Sequence, residues 1–200
     1  MTNQTIRLSF LSVALAMIAG TAQAATHASR IIEDQTSYGT CTATGASQCQ
    51  ADDRLSVVNA LGETDGAFYS LGKDGYLTLG FDTASFAPGA RITLEEVTFN
   101  GPARSRHYEA VDVYSVFSDL ATFVGTVYNT TKSTTLRIAQ RFEHIRLVDV
   151  TSREYALTSS FDGFDVDSVK IAPVPVPAAG VLMLAGLGGL ALMRRRKAAA

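Results

Sequence analysis

Three aspartates towards the C-terminal end form the densest acidic cluster of this chain. They are Asp162, Asp165 and Asp167, within the segment Asp-Gly-Phe-Asp-Val-Asp. Residues two apart in a strand point to the same face, so Asp165 and Asp167 can direct their carboxylates together. Calcium binds six to eight oxygens, and Asp149 or backbone carbonyls could complete the set. The simplest interpretation is a solvated turn at Asp162-Gly163, and a structural calcium site at Asp162, Asp165 and Asp167 is the alternative.

The histidines do not form a recognisable catalytic motif. They are His27, His107 and His144, and His107 follows the basic segment Arg104-Ser105-Arg106. The sequence has neither a nucleophile elbow nor paired metal ligands of the His-Glu-x-x-His kind. We therefore predict no catalytic residues, and a secreted glycan hydrolase remains an alternative function.

Four tyrosines could provide flat faces on which sugar rings stack. They are Tyr108, Tyr114, Tyr128 and Tyr155, in a chain that has no tryptophan. Tyrosine is also common in cross-strand pairs and cores, so ordinary packing competes with a sugar-binding platform. Both interpretations stay open from the sequence.

Cys41 and Cys49 are the only cysteines and enclose a short polar loop. An even pair in an exported protein favours a disulfide over a metal pair or a nucleophilic thiol. In the chain-entropy model, closing so short a loop stabilises the fold by roughly 2–3 kcal/mol. We therefore predict a Cys41–Cys49 disulfide.

These residues must be positioned by a β-rich body, because short β-branched and aromatic runs alternate with turn residues. Predicted strands cover Tyr76–Phe81, Arg91–Phe99, Ala110–Phe117, Ala121–Tyr128, Ile145–Val150 and Phe164–Ile171, with a short strand around Leu136 and Ile138. This order predicts an all-β fold, an antiparallel β-sandwich or jelly roll, over residues 55–172. The Thr-, Ser- and Gly-rich segment 25–54 is expected to be irregular.

Local patterns refine this expectation. The run 121–128 is the expected hairpin partner of 110–117, which is apolar on both faces and so lies inside a sheet. The apolar phase shifts across Glu95-Glu96 and again between Val166 and Val169, and each shift predicts a β-bulge.

Residues 1–24 are typical of a secretory signal peptide. Arg7 provides the positive start, Leu8 to Ala19 is apolar, and Ala22-Gln23-Ala24 is a cleavage pattern. Export by the Sec machinery is therefore expected, with a mature body over residues 25–172.

The tail, residues 173–200, has three parts in a fixed order. The motif Val174-Pro175-Val176-Pro177-Ala178 comes first, an uncharged apolar run to Met193 follows, and Arg194-Arg195-Arg196-Lys197 ends it. The run of about 16 residues spans roughly 24 Å as a helix, which is less than a hydrocarbon core of about 30 Å. The basic cluster would remain cytoplasmic. A hydrophobic helix that enters the membrane transiently is expected, with a permanent tail anchor as the alternative.

This tail resembles the PEP-CTERM sorting domain of Gram-negative bacteria, in particular the VPLPA-CTERM variant, although Val176 stands where that variant has Leu. The resemblance implies recognition by an exosortase, a brief stay in the inner membrane, and release to the cell surface or the extracellular space. It also implies an association with exopolysaccharide and biofilm.

The body is similar to galactose-binding-like, or discoidin-like, jelly-roll domains. The similarity is carried mainly by Gly163-Phe164-Asp165-Val166-Asp167-Ser168-Val169, in which Ser168 replaces the Ala common in that strand. Such domains often bind glycans and often carry a structural calcium, and the resemblance implies both as expectations.

Charge narrows the possible partners. Residues 25–172 contain 12 Lys and Arg against 19 Asp and Glu, a net charge of −7. Polyphosphate would be repelled, so nucleic acid is not an expected partner. We expect an exported, non-catalytic, structural or glycan-binding component of an exopolysaccharide matrix, with a permanently membrane-anchored periplasmic or surface binding protein as the main alternative.

Overall fold

A computed structural model describes residues 24–35, 53–97 and 106–174, together with Gly186 and Gly188. One compact unit covers Ala24–Val174, and the other comprises residues 1–23 and 175–200, in which Gly186 and Gly188 are helical. Within the described ranges, no helix has the length and apolar character needed to cross a bilayer. The predicted signal peptide, the Cys41–Cys49 pair, the sorting motif beyond Val174 and the basic tail cluster lie outside the described residues.

The unit Ala24–Val174 is an antiparallel β-sandwich, as the sequence predicts. Its described strands are β1 (Thr26–His27), β2 (Arg30–Gln35), β3 (Tyr69–Ser70), β4 (Tyr76–Gly80), β5 (Arg91–Glu96), β6 (Ala110–Phe117), β7 (Leu120–Tyr128), β8 (Ser133–Arg137), β9 (His144–Asp149) and β10 (Asp165–Ala172). One sheet has the order β1-β10-β5-β8, with β3 also paired to β10, and the other has the order β2-β4-β9-β6-β7. A single helical turn, α1 (Thr151–Glu154), follows β9.

The core lies between the two sheets, where alternate side chains of each strand meet. Leu77 and Leu79 on β4 and Ile145 and Leu147 on β9 are fully buried. The opposite sheet contributes apolar side chains from its two central strands, namely Ile92, Leu94, Val166, Val169 and Ile171. At the end of the sandwich where β4 stops, three phenylalanines extend the core: Phe86 stacks on Phe142 and meets Phe81 edge to face.

The predicted hairpin is confirmed, and its turn is set by two residues. Ser118 and Asp119 join β6 to β7 with φ angles of 47° and 65°. Positive φ at both central positions is the two-residue turn whose twist matches the flanking strands.

The sequence predicts bulges on β5 and on β10, and of these two only the bulge on β10 is present. Val166 pairs with Glu96 and Ser168 pairs with Glu95, so Asp167 is the extra residue. The prediction of a bulge on β5 is therefore wrong. Burial alternates regularly along β5, and this alternation brings Glu96, which is only 4% exposed, to the interior. The phase shift across Glu95-Glu96 arises from this inward glutamate and not from an extra residue.

The segment before residue 55 is more regular than the sequence predicts. Thr26–His27 pairs with the end of β10, and Arg30–Gln35 pairs with β4. Both are sheet edges, and most side chains of Arg30–Gln35 are exposed. A strand at an exposed sheet edge does not need alternating apolar residues. The hydrophobic pattern of the sequence therefore does not identify Arg30–Gln35 as a strand.

Candidate functional site

A surface pocket of about 280 Å³ opens at the end of the sandwich where β10 begins, near the lower limit of roughly 300 Å³ for ligand pockets. We call it the tyrosine pocket, and its lining residues are Arg106, Tyr108, Tyr155, Leu157 and Thr158. They come from the segment before β6 and from the loop between α1 and β10. Leu157 is 92% exposed at the rim.

Three of the four candidate tyrosines form one aromatic cluster, and two of them, Tyr108 and Tyr155, line the pocket. The rings of Tyr108 and Tyr155 stack with centroids 5.2 Å apart and planes inclined by 30°. Tyr128 meets Tyr155 nearly edge on, with centroids 6.1 Å apart. Tyr114 lies elsewhere and packs against Phe123. The structure therefore assembles an aromatic cluster at the surface, beyond ordinary cross-strand packing.

Two phenols of this cluster, those of Tyr128 and Tyr155, have raised pKa values. Burial raises the pKa of Tyr155, and burial together with the hydrogen bond to Glu154 raises the pKa of Tyr128. The hydroxyl of Tyr128 donates its proton to Glu154, at 3.2 Å, whereas the proton of Tyr155 can be donated to a ligand.

Thr158 holds the two walls of the pocket together. Its Oγ1 donates to the carbonyl of Tyr108, at 2.7 Å, and accepts from the N–H of Tyr108, at 3.0 Å. The N–H of Ser159 donates to the carbonyl of Arg106, at 3.0 Å. The α1–β10 loop is thus tied to the segment before β6, and the ring of Tyr108 is positioned before any ligand binds.

A buried asparagine, overlooked in the sequence, fixes the same segment from below. Asn129 is 1% exposed, and its Oδ1 accepts from the N–H of Glu109. Its Nδ2 donates to the carbonyl of His107, at 2.8 Å, and to the carboxylate of Glu109, at 3.1 Å. The turn at 129–131 is polar, as its sequence indicates, but the side chain of its first residue, Asn129, is buried and holds the backbone of His107 and Glu109 in place.

Helix α1 is held on β6 by a bidentate ion pair. Arg153 donates to both carboxylate oxygens of Asp112, at 2.7 Å and 3.0 Å. Burial opposes ionisation of Asp112, but the bonds from Arg153 and Thr126 hold its pKa below the ordinary value. This anchor places Tyr155, which immediately follows α1.

Glu109, the residue after Tyr108, belongs to a group of buried carboxylates that we call the acidic cluster: Glu96, Glu109 and Asp165. One carboxylate oxygen from each lies within 4.8 Å of the others, and all three are at most 5% exposed. Asp162 adjoins the cluster, since Ser70 Oγ donates to Asp165 and lies 3.4 Å from Asp162. Oxygen atoms at this spacing could hold a divalent cation or share protons.

The acidic cluster resists full ionisation. Desolvation, followed by the charge of Asp165, raises the pKa of Glu109 well above its ordinary value. Desolvation, followed by the charge of Asp162, does the same for Asp165. Arg54 supplies one compensating positive charge, because it forms an ion pair with Asp162 and lies over the rings of Phe68 and Phe161.

The structure divides the predicted calcium ligands. Asp165 belongs to the acidic cluster and Asp162 lies beside it, whereas Asp167 is the bulged residue and accepts from the N–H groups of Asp65 and Gly66, both at 3.2 Å. The bulge breaks the alternation that would have brought Asp165 and Asp167 to one face. Glu96 and Glu109, and not Asp167, lie beside Asp165, and calcium binding itself stays a prediction.

Asp149, the suggested fourth ligand, stabilises turns. Its carboxylate accepts from the N–H of Phe164, at 2.9 Å, and from the hydroxyl of Thr151, at 2.8 Å. Gly163 passes so close that a Cβ there would lie 2.7 Å from Asp149 Oδ2 and 2.8 Å from the carbonyl oxygen of Gly72. The glycine of the Asp-Gly-Phe motif is therefore required for close packing.

The histidines lie at different places. His27 pairs with Lys170 near the end of β10, and His144 begins β9 opposite Val116. His107 lies beside the pocket with its Nδ1 3.1 Å from Ser159 Oγ. A serine–histidine contact becomes a catalytic pair only with an orienting carboxylate and oxyanion donors.

Comparison with known proteins gives structural similarities. The chain is similar to the family 32 carbohydrate-binding module of Streptococcus pneumoniae EndoD, with a TM-score of 0.47 and 12% identity over 76% of this chain and 98% of that chain. It is similar to a GH31 CBM32-2 module solved with bound GalNAc, with a TM-score of 0.38 and 10% identity over 56% of this chain and 72% of that chain. A family 29 carbohydrate-binding module gives a TM-score of 0.30 and 18% identity over 51% of this chain and 59% of that chain. No protein-family model and no curated protein matches the chain, so its own residues define its candidate function.

Proposed function

We propose that this chain is an exported, non-catalytic glycan-binding protein whose binding site is the tyrosine pocket. The observation that supports this most directly is the Tyr108–Tyr155 stack at the wall of a preformed surface pocket. Sugar rings carry apolar C–H faces and polar edges, and aromatic side chains with a polar tip are suited to both. Tyr128 supports the stack from outside the pocket lining through its edge-on contact with Tyr155.

A binding role fits this end of the sandwich better than hydrolysis. Glycoside hydrolysis requires two carboxyl groups that flank the scissile bond. The carboxylates of Glu109 and Asp165 are at most 5% exposed, so a glycan in the pocket does not reach them. Glu154 is engaged by Arg153 and by the hydroxyl of Tyr128.

A glycan array followed by titration tests this proposal. Wild-type protein should bind a subset of glycans, and Tyr155→Ala should weaken binding at least tenfold, which corresponds to about 1.4 kcal/mol. Leu157→Asp offers a second test at a position that is 92% exposed and therefore uncritical for folding. Tyr114→Ala is the matched control, since it removes a tyrosine that packs away from the pocket.

The results separate the possibilities cleanly. Equal binding by wild type, Tyr155→Ala and Leu157→Asp would show that the pocket is not the site. Release of reducing ends from a bound glycan would instead favour the hydrolase alternative.

The sorting proposal rests on the tail sequence. Val174-Pro175-Val176-Pro177-Ala178, the apolar run and Arg194–Lys197 support handling by an exosortase after Sec export. The protein would then act at the cell surface or in the surrounding exopolysaccharide, with its tail in the inner membrane only before processing. A permanent tail anchor is the competing outcome.

Intact mass measurement of protein from a Gram-negative host with an exosortase tests processing. The mature chain should begin near Ala25 and lack Arg194–Lys197. Alkylation before and after reduction, on the same sample, should show Cys41 and Cys49 protected until reductant is added. An unprocessed C-terminus in the envelope fraction would support the permanent anchor, and freely alkylated cysteines would contradict the disulfide.

A further inference from the structure

Arg106 occupies an unusual backbone conformation at the tyrosine pocket. Its φ is 57°, in the left-handed region that non-glycine residues seldom adopt. Its carbonyl is fixed by the N–H of Ser159, at 3.0 Å, and by Thr158 Oγ1, at 3.2 Å. A strained residue that its neighbours hold in place is typical of ligand-binding sites. Here the strain places an exposed arginine among the residues that line the pocket.

The charge at this pocket is opposite to that of the body. The lining residues include Arg106 but no carboxylate. The nearby Glu154 accepts from Arg153 Nε, at 2.8 Å, and from the hydroxyl of Tyr128, at 3.2 Å. Arg153 and Asp112 form their own ion pair. Among the described residues, Arg106 forms no salt bridge, so its guanidinium is available to a ligand.

Local charge governs what binds here, despite the net charge of −7 over residues 25–172. Exposed charges interact over a Debye length of about 8 Å at physiological ionic strength. A ligand seated in the pocket is therefore affected more by Arg106, which lines it, than by acids beyond that distance. The nearby acidic cluster is buried and resists full ionisation, so it opposes Arg106 less than exposed carboxylates would. A guanidinium recognises a carboxylate through two parallel N–H bonds, which adds geometric specificity.

We propose that the tyrosine pocket recognises a carboxylated sugar residue, with the sugar ring against the tyrosines and its carboxylate on Arg106. This inference rests on the proposed glycan-binding function and names the ligand class of that site. Uronic acids carry the required carboxylate on the ring itself, next to the apolar face that stacks.

Matched ligands that differ only in charge test the proposal. Full-length protein is titrated with oligogalacturonate and oligoglucuronate and with the carboxyl-reduced form of each, in a chelator that prevents calcium bridging. Wild type should bind at least one acidic oligomer tenfold or more tightly than its reduced form. Arg106→Gln should remove that preference, so that the acidic oligomer and its reduced form bind with similar affinity.

Two further variants serve as controls. Tyr155→Ala should lose both acidic and reduced ligands, because the stacking surface serves both. Arg141→Gln removes an equal charge at a residue that bonds to Ser85 and lies over Phe117, and should keep the wild-type preference.

The contrary outcomes differ for the two proposals. Equal affinity for acidic and reduced oligomers, or a preference that survives Arg106→Gln, overturns the carboxylate assignment and leaves glycan binding intact. Binding that survives Tyr155→Ala and Leu157→Asp for every ligand overturns the pocket as the glycan site. If neither acidic oligomer binds while another glycan does, the uronate assignment is wrong.

Discussion

Thr158 and Tyr108 are joined by a pair of hydrogen bonds between one hydroxyl and one backbone unit, at 2.7 Å and 3.0 Å. Just before β6 begins, the Thr158 hydroxyl bonds to the N–H and C=O groups of Tyr108, which a neighbouring strand would pair inside a sheet. It couples the shape of the α1–β10 loop to the position of the Tyr108 ring.

Replacing Thr158 by valine keeps the shape of the side chain and removes the hydroxyl. The backbone groups of Tyr108 then lose their partner, and we expect the free energy of unfolding to fall by about 1–3 kcal/mol. Glycan affinity should fall as well, because the ring of Tyr108 is no longer held against Tyr155. Chemical denaturation and ligand titration measure the two effects. Thr135→Val, at an exposed hydroxyl pair on β8, is the control and should be close to neutral.

Stability should fall as pH rises when calcium is absent. The pKa values of Glu109 and Asp165 are raised in the folded protein, chiefly by desolvation. A carboxyl with a raised folded pKa stabilises the fold below its unfolded pKa, near 4, and that contribution is lost as pH rises through the folded value. Melting temperatures in chelator should therefore decline as pH rises above the unfolded pKa, near 4.

Glu109→Gln tests the origin of that decline. The amide keeps the size of the side chain and removes its charge, so the slope of melting temperature against pH should flatten and stability at neutral pH should rise. Glu63→Gln changes an exposed glutamate and should retain the wild-type slope. A Glu109→Gln slope as steep as wild type would show that the acidic cluster is not responsible.

Calcium should stabilise the folded protein if it binds at the acidic cluster. A ligand that binds only the folded state raises stability by about 2.7 kcal/mol at 100 times its dissociation constant. Asp165→Asn should abolish this calcium-dependent rise in melting temperature. Asp167→Asn should retain it, since Asp167 contacts the amides of Asp65 and Gly66. A flat titration of chelator-treated wild type would contradict calcium binding.

Gly163→Ala should be more destabilising than Gly62→Ala, although both glycines have positive φ, 74° and 88°. A left-handed conformation costs an alanine about 1–2 kcal/mol at either position. At Gly163 the new Cβ also meets a carboxylate oxygen and a carbonyl oxygen closer than 3.0 Å, whereas nothing lies within 4 Å at Gly62. Denaturation midpoints of the two variants measure the extra cost, and equal midpoints would mean that the turn relaxes freely.

The sequence predicts best the strands whose patterns follow from burial. Alternation of Leu77 and Leu79 identifies β4, and continuous apolar character identifies β6 as a strand with neighbours on both sides. Arg30–Gln35 shows neither pattern, because it is an edge strand that pairs only with β4 and buries few side chains. Local pattern carries little information about a strand whose side chains mostly face water.

The site is predictable in its residue types but not in its assembly. Tyr108, Tyr128 and Tyr155 were candidates together with Tyr114, which stands six residues beyond Tyr108 and thus roughly 20 Å along an extended chain. The pairing of Ala110 with Tyr128, together with the position of α1 after β9, determines which tyrosines meet. Glu96 and Asp165 are far apart in sequence, and their proximity depends on a register that includes the bulge at Asp167.

The chain ends of the sandwich unit and the tyrosine pocket lie at opposite ends of β10. Thr26 pairs with Ile171, and a Cβ at Gly89 would touch Val174, so both termini of the unit emerge beside the start of β5. The tyrosine pocket belongs to the loop that enters β10 at its other end, roughly 25 Å away for a strand of eight residues. A ligand in the pocket would therefore lie about one strand length from both chain ends of this unit, and neither Thr26 nor Val174 would obstruct it.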